Sequence, residues 1–234
     1  MRNLNEFRAP WWLSNGHANT IWAYLFKPAP SVDFRRERFD TADGDWIDLD
    51  WVKGDPGMPL VVGCHGLEGS ADTPYMRRLM ARAQERGWGG VALNYRGCSG
   101  EDNEGVSAYH SGFIEDLEFV VDYLANALPD RPLYLTGYSL GGSILANYLG
   151  QKAASIPSTV RAAFVCSAPF FLKPGSDAIG VGFNRFYEMK FLLTLRKKAA
   201  LKGKKHPEFA AQALKASRAR SIRVFDQEWI APVF

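Results

Sequence analysis

From Pro59 onward, short and predominantly apolar runs alternate with helix-patterned stretches, and this alternation restricts the fold more than any other feature. The apolar runs are LVVGC (60–64), GVALNY (90–95), LYLTG (133–137) and AAFVC (162–166). Between them lie PYMRRLMARAQERG (74–87), FIEDLEFVVDYLANAL (113–128) and LGGSILANYLGQKAA (140–154). In the second of these, Phe113, Leu117, Val120, Val121 and Leu124 form one apolar stripe at helical spacing. Strands with few polar positions are buried on both faces, and helices joining them favour parallel order. The expectation is an α/β fold with a mostly parallel sheet. Ahead of it, FRRERFDT and WIDLDWV flank Ala42-Asp43-Gly44-Asp45. The Asp-Gly pair supplies a turn and the alternation a half-buried strand, so residues 34–52 predict an antiparallel hairpin at one edge.

The pattern breaks at residue 170. Phe170–Gly175 reads as a loop, and residues 184–219 carry helical sequence with no strand between. Consecutive helices inside an alternating fold predict an inserted helical cap over approximately 170–234, within a single domain spanning 1–234. The closing stretch SIRVFDQEWIAPVF is short and aromatic and leaves the sheet unfinished.

One junction carries chemistry. GYSLGG (137–142) lies where a strand gives way to a helix and fits G-x-S-x-G. Such a turn lifts a serine oxygen clear of the backbone, with glycines leaving room for the bend. Ser139 is therefore the candidate nucleophile. Acyl transfer also needs amide hydrogens aimed at the developing oxyanion. HGLEGS (65–70) follows a strand directly, so the Leu67 and Leu140 N–H groups are the candidate donors. His65, at the strand end that shapes this loop, reads as structural.

These motifs, with NYRGCSGEDN (94–103) and YHSGFIEDL (109–117), resemble the YheT-type α/β-hydrolases. APWWLSNGHANTIWA (9–23) and SIRVFDQEWIAP (221–232) are similar to that family's N-terminal and cap stretches, so the resemblance runs over nearly the whole chain. It implies an esterase-like serine hydrolase with a Ser-Asp-His triad, in which Ser139 matches the nucleophile.

In this fold the acid and then the histidine follow the serine. Beyond Ser139 the sequence offers one histidine, His206, and two aspartates, Asp177 and Asp226. His206 precedes Pro207 and opens a helix, Asp177 sits in KPGSDAIG, and Asp226 lies in the closing stretch. An in-chain Asp177/His206 pair would satisfy the order but not the location, so it stays the lesser alternative, and the expectation is an N-terminal portion of a longer protein whose later strands carry both partners. The alternative is a non-catalytic hydrolase-fold protein that binds an acyl ligand or partner. His17, His110 and Asp116 read first as structural, with His110 open to a role in positioning substrate.

A net charge of +3 is too small to argue for nucleic acid. MRNLNEFRAPWWLSNGH lacks the apolar run of a signal peptide, and no window approaches the ~18 apolar residues of a membrane span. Cys64, Cys98 and Cys166 are an odd number at wide spacing, which suggests neither zinc nor a disulfide framework and fits a cytoplasmic setting. Cys64 and Cys166 fall in strand-like runs and read as buried, reduced thiols. No phosphate-binding or dinucleotide motif is present, and no cofactor is expected. The basic run Arg196-Lys197-Lys198 with Lys202, Lys204 and Lys205 reads as a solvated helix face, or alternatively as a peripheral contact for anionic lipid.

Overall fold

The computed structural model describes residues 9–233, so residues 1–8 of the opening stretch MRNLNEFRAPWWLSNGH, and Phe234, lie outside the described residues. Strands β1 (Arg35–Asp40) and β2 (Trp46–Val52) pair antiparallel, as the hairpin reading expects. Gly44 sits at φ 78 in the connecting turn, a left-handed conformation that glycine adopts without steric cost. The apolar runs become β3 (Leu60–Cys64), β4 (Gly89–Asn94), β5 (Leu133–Tyr138) and β6 (Val160–Cys166). The sheet runs β1-β2-β4-β3-β5-β6, with β2 antiparallel to β4 and the last four strands mutually parallel.

Every residue of β3 and β4 is buried, so both faces of the sheet's centre are covered. On one face Leu60, Val62, Cys64, Val91 and Leu93 meet the stripe Leu117, Val120, Val121 and Leu124 of α3 (Glu115–Ala127). Ile144, Leu145 and Tyr148 of α4 (Leu140–Gln151) join the same core. On the other, Met76 and Met80 of α2 (Pro74–Gln84) lie over Gly63, where a Cβ would meet Met76 Cε at 2.6 Å. Preceding the sheet is α1 (Gly16–Phe26), capped by the Asn15 side chain on the His17 and Ala18 amides.

Strand β6 departs from expectation. It lies at the sheet edge, and residues 161–164 are exposed, while Val160 and Val165 pack against the core shared with α4. Cys166 is accordingly half-buried rather than buried, whereas Cys64 is fully enclosed. The 170–175 loop is also corrected: Leu172–Ile179 form α5, which holds Pro174 in its first turn, where its missing N–H costs no hydrogen bond. The next helices are α6 (Asn184–Lys205) and α7 (Ala210–Ala216). Residues of Ile222–Phe225, the π-helical turn Asp226–Ile230 and Ala231–Val233 then follow as one helical run. These helices have their own core, built on Leu192, Leu195, Ala199, Ala213, Phe225 and Trp229.

A buried charge network ties the loops beyond β4 to the sheet. Arg96 forks onto Asp116, with Nη2–Oδ1 at 2.7 Å and Nε–Oδ2 at 3.0 Å, and reaches Asp43 as well. Burial works against the guanidinium charge, and the Asp116 and Asp43 carboxylates more than restore it. Asp116 is thus an ion-pair partner.

Candidate active site

Ser139 occupies the single residue between β5 and α4, at φ 51 and ψ −123. An L-residue at this φ carries backbone strain of about 1–2 kcal/mol, so the surroundings must hold it there. Its N–H donates to Cys166 O of β6 at 2.8 Å, and its carbonyl accepts from the Gly142 and Ser143 amides. The side chain is exposed. Two glycines make the bend possible. A Cβ on Gly137 would lie 2.6 Å from Gly141 O, and one on Gly141 only 2.3 Å from His65 O. Both obstacles are backbone and cannot yield.

The same closeness brings HGLEGS to the serine. A methyl group added at Gly66 would stand 3.0 Å from Ser139 Cβ and 3.6 Å from its Oγ. The loop closes with Gly69 N–H donating to Gly66 O at 3.0 Å, while Tyr75 OH accepts from Gly66 N–H at 2.9 Å. Leu67 is half-buried and packs against both the sheet core and the core of the later helices. Among the described residues, no protein acceptor takes the Leu67 or Leu140 N–H.

His65 is fully buried with both ring nitrogens engaged. Tyr95 N–H donates to Nε2 at 3.2 Å, which leaves the proton on Nδ1 to donate to Gly66 O at 2.7 Å. Burial pulls its pKa down to about 4. It shapes the loop and is not placed to take a proton from Ser139. Because the folded pKa lies below the unfolded value of 6.5, His65 favours folding fully above pH 6.5 and progressively less towards pH 4. The loss over that window is about 3 kcal/mol. Chemical denaturation at pH 7 and pH 4 is expected to show it, and His65→Gln is expected to flatten the dependence by that amount. An unchanged slope in the variant would assign the loss to other groups.

The other singled-out residues are engaged elsewhere. His206 Nε2 donates to Glu104 O at 2.8 Å, and Asp177 pairs with Arg223 at 3.0 Å. Neither contacts the other or Ser139 among the described residues. Asp226 opens the π-helical turn. His110 Nδ1 accepts from Gly112 N–H at 3.2 Å, and burial lowers its pKa. His17 stands 3.4 Å from Tyr187 OH, its ring 4.8 Å from that of Phe183.

The basic run does not form one solvated face. Lys198 Nζ reaches Glu68 Oε1 at 2.8 Å, and Lys202 Nζ donates to the Asn103 and Gly105 carbonyls. Lys205 faces Asp102 and Glu104, and Arg196 Nε donates to Ala219 O. Lys197 and Lys204 are exposed. No described helix is long and apolar enough to cross a membrane.

The sequence pattern of the alpha/beta hydrolase fold matches residues 59–232, from the first parallel strand to the last helical turn. The chain belongs to the alpha/beta hydrolase fold family. It is 37% identical over 217 residues to the Escherichia coli (strain K12) protein named "Putative esterase YheT", covering 91% of this chain and 63% of that one. It is 27% identical to the phospholipase ABHD3 of Homo sapiens over 95% of this chain and 56% of that relative. The monoacylglycerol lipase of Saccharomyces cerevisiae is 27% identical over 78% of this chain and 42% of its own length. The chain thus spans about two-fifths to three-fifths of these relatives. Among solved structures, the Pyrococcus furiosus esterase Pf2001 superimposes with a TM-score of 0.53 at 19% identity, covering 65% of this chain and 58% of that chain. That likeness concerns the fold alone.

Proposed function

We propose that this chain carries the nucleophile and oxyanion donors of an esterase-like serine hydrolase acting on small-molecule carboxylic esters. The observation that carries the reading is Ser139, exposed on a strained strand-to-helix bend beside a loop whose Leu67 amide is unclaimed. The esterase, phospholipase and monoacylglycerol lipase names of the relatives support the reaction class.

In this mechanism Ser139 Oγ attacks the acyl carbon while a histidine accepts its proton. The carbonyl oxygen becomes an oxyanion, held by the Leu67 and Leu140 N–H groups. Collapse breaks the bond to the alkoxy oxygen, which leaves as an alcohol with the proton from the histidine. Water, activated by the same base, then releases the acyl group as a carboxylic acid. Since no described histidine contacts Ser139, the base and its orienting acid are supplied from outside residues 1–234 in this proposal. The helices from residue 172 onward would cover the pocket and select the acyl group.

Reaction of the full-length protein with an alkyl fluorophosphonate, followed by peptide mass mapping, is expected to place one adduct on Ser139. A correctly folded protein, as judged by circular dichroism, that takes no adduct would instead favour a non-catalytic fold binding an acyl ligand.

A further inference from the structure

Glu68 is the second strained residue of the candidate site. It stands at φ 53, a conformation that glutamate adopts only under constraint, directly after the proposed oxyanion donor Leu67. Three contacts supply that constraint. Glu68 N–H donates to Tyr109 OH at 2.6 Å, Tyr109 OH donates to Glu68 Oε1 at 3.2 Å, and Lys198 Nζ donates to the same oxygen at 2.8 Å. The Glu68 side chain is 7% exposed, so its charge needs the lysine close by.

We propose that Lys198 and Tyr109 are positioning residues which, by holding Glu68, aim the Leu67 amide at the oxyanion. The inference rests on the ester-hydrolase reading and adds a control that reading lacks. Gly66 O, on the peptide that carries the Leu67 N–H, accepts from His65 and Gly69 and so fixes one side of the loop. The Glu68 clamp fixes the other side. A trans peptide directs its N–H opposite its carbonyl, so the two anchors together set the direction of the Leu67 hydrogen.

Lys198 belongs to α6, 130 residues beyond Glu68. One turn later on the same helix, Lys202 grips the Asn103 and Gly105 carbonyls. The seating of α6 on the sheet domain is therefore linked to the aim of the amide. Packing alone does not wedge the loop: a cavity of about 50 Å³ remains between Leu67, Glu68, Tyr109, Lys198 and Trp229. Without the lysine, the loop has space to relax towards an unstrained backbone.

The test uses the full-length protein, with active sites counted by fluorophosphonate titration taken to completion, so that misfolded molecules do not enter the rate. Lys198→Met is expected to lower kcat per titrated site about tenfold and to slow adduct formation in parallel, because both steps use the same amide. KM is expected to stay within about twofold, as the clamp acts on the transition state. Lys198→Arg should restore most of the loss, and exposed Lys204→Met should behave as wild type. Tyr109→Phe should act in the same direction and carries the test if Lys198→Met does not fold. Wild-type kcat per titrated site in either variant would overturn the positioning role while leaving the nucleophile intact. Absence of an adduct on Ser139 in wild type would instead remove the hydrolase reading, and this inference with it.

Discussion

Replacing Ser139 with alanine in the full-length protein is expected to lower kcat for a carboxylic ester about ten-thousand-fold or more and to abolish fluorophosphonate labelling. The residual rate would come from the oxyanion donors, which the substitution leaves in place. Stability is not expected to fall, because the side chain is exposed and its Oγ makes no hydrogen bond among the described residues. The backbone bonds to Cys166, Gly142 and Ser143 do not involve the side chain and survive in the variant. The decisive comparison is therefore kcat against the urea midpoint. A variant that keeps a tenth of the wild-type kcat would remove Ser139 as nucleophile.

The largest stability effect is expected at Arg96, whose side chain is 3% exposed. Arg96→Met strands Asp116 and Asp45, each with a side chain 1% exposed, without their cation. Removing one partner of such a buried pair costs about 3–5 kcal/mol. Asp45 keeps partners in Asn103 and the Glu104 and Gly105 amides, so the loss falls chiefly on Asp116. The double variant Arg96→Met/Asp116→Leu is expected to recover much of the deficit, because apolar residues of similar volume need no counter-charge. Urea unfolding of the two variants measures this. A double variant as unstable as the single one would mean that Arg96 acts through its other contacts.

The sheet's centre was legible because burial on both faces leaves a direct imprint: LVVGC and GVALN, buried throughout, contain little that water would hold. The elbow was legible for a related reason. Gly137 and Gly141 abut backbone, and a site that tolerates no Cβ shows as glycine whatever its function. The helix at 172–179 was hidden by Pro174-Gly175, a pair that reads as a turn, although proline is compatible with a first helical turn. The direction of the basic run was not legible at all. Lys198 and Lys202 find their acceptors about a hundred residues away, and no local pattern tells an inward lysine from an outward one. Glu68 was missed for the same reason, since its strain is imposed by Tyr109 and Lys198 rather than by its neighbours in sequence. The closing aromatic stretch did carry a clue in the four-residue spacing of Phe225 and Trp229, both buried in the helical core.

The bend at Ser139 also bears on how such a molecule changes over generations. Glycine at that position would relax the torsion but discard the oxygen, so drift towards sturdiness and retention of reactivity pull the same codon in opposite directions.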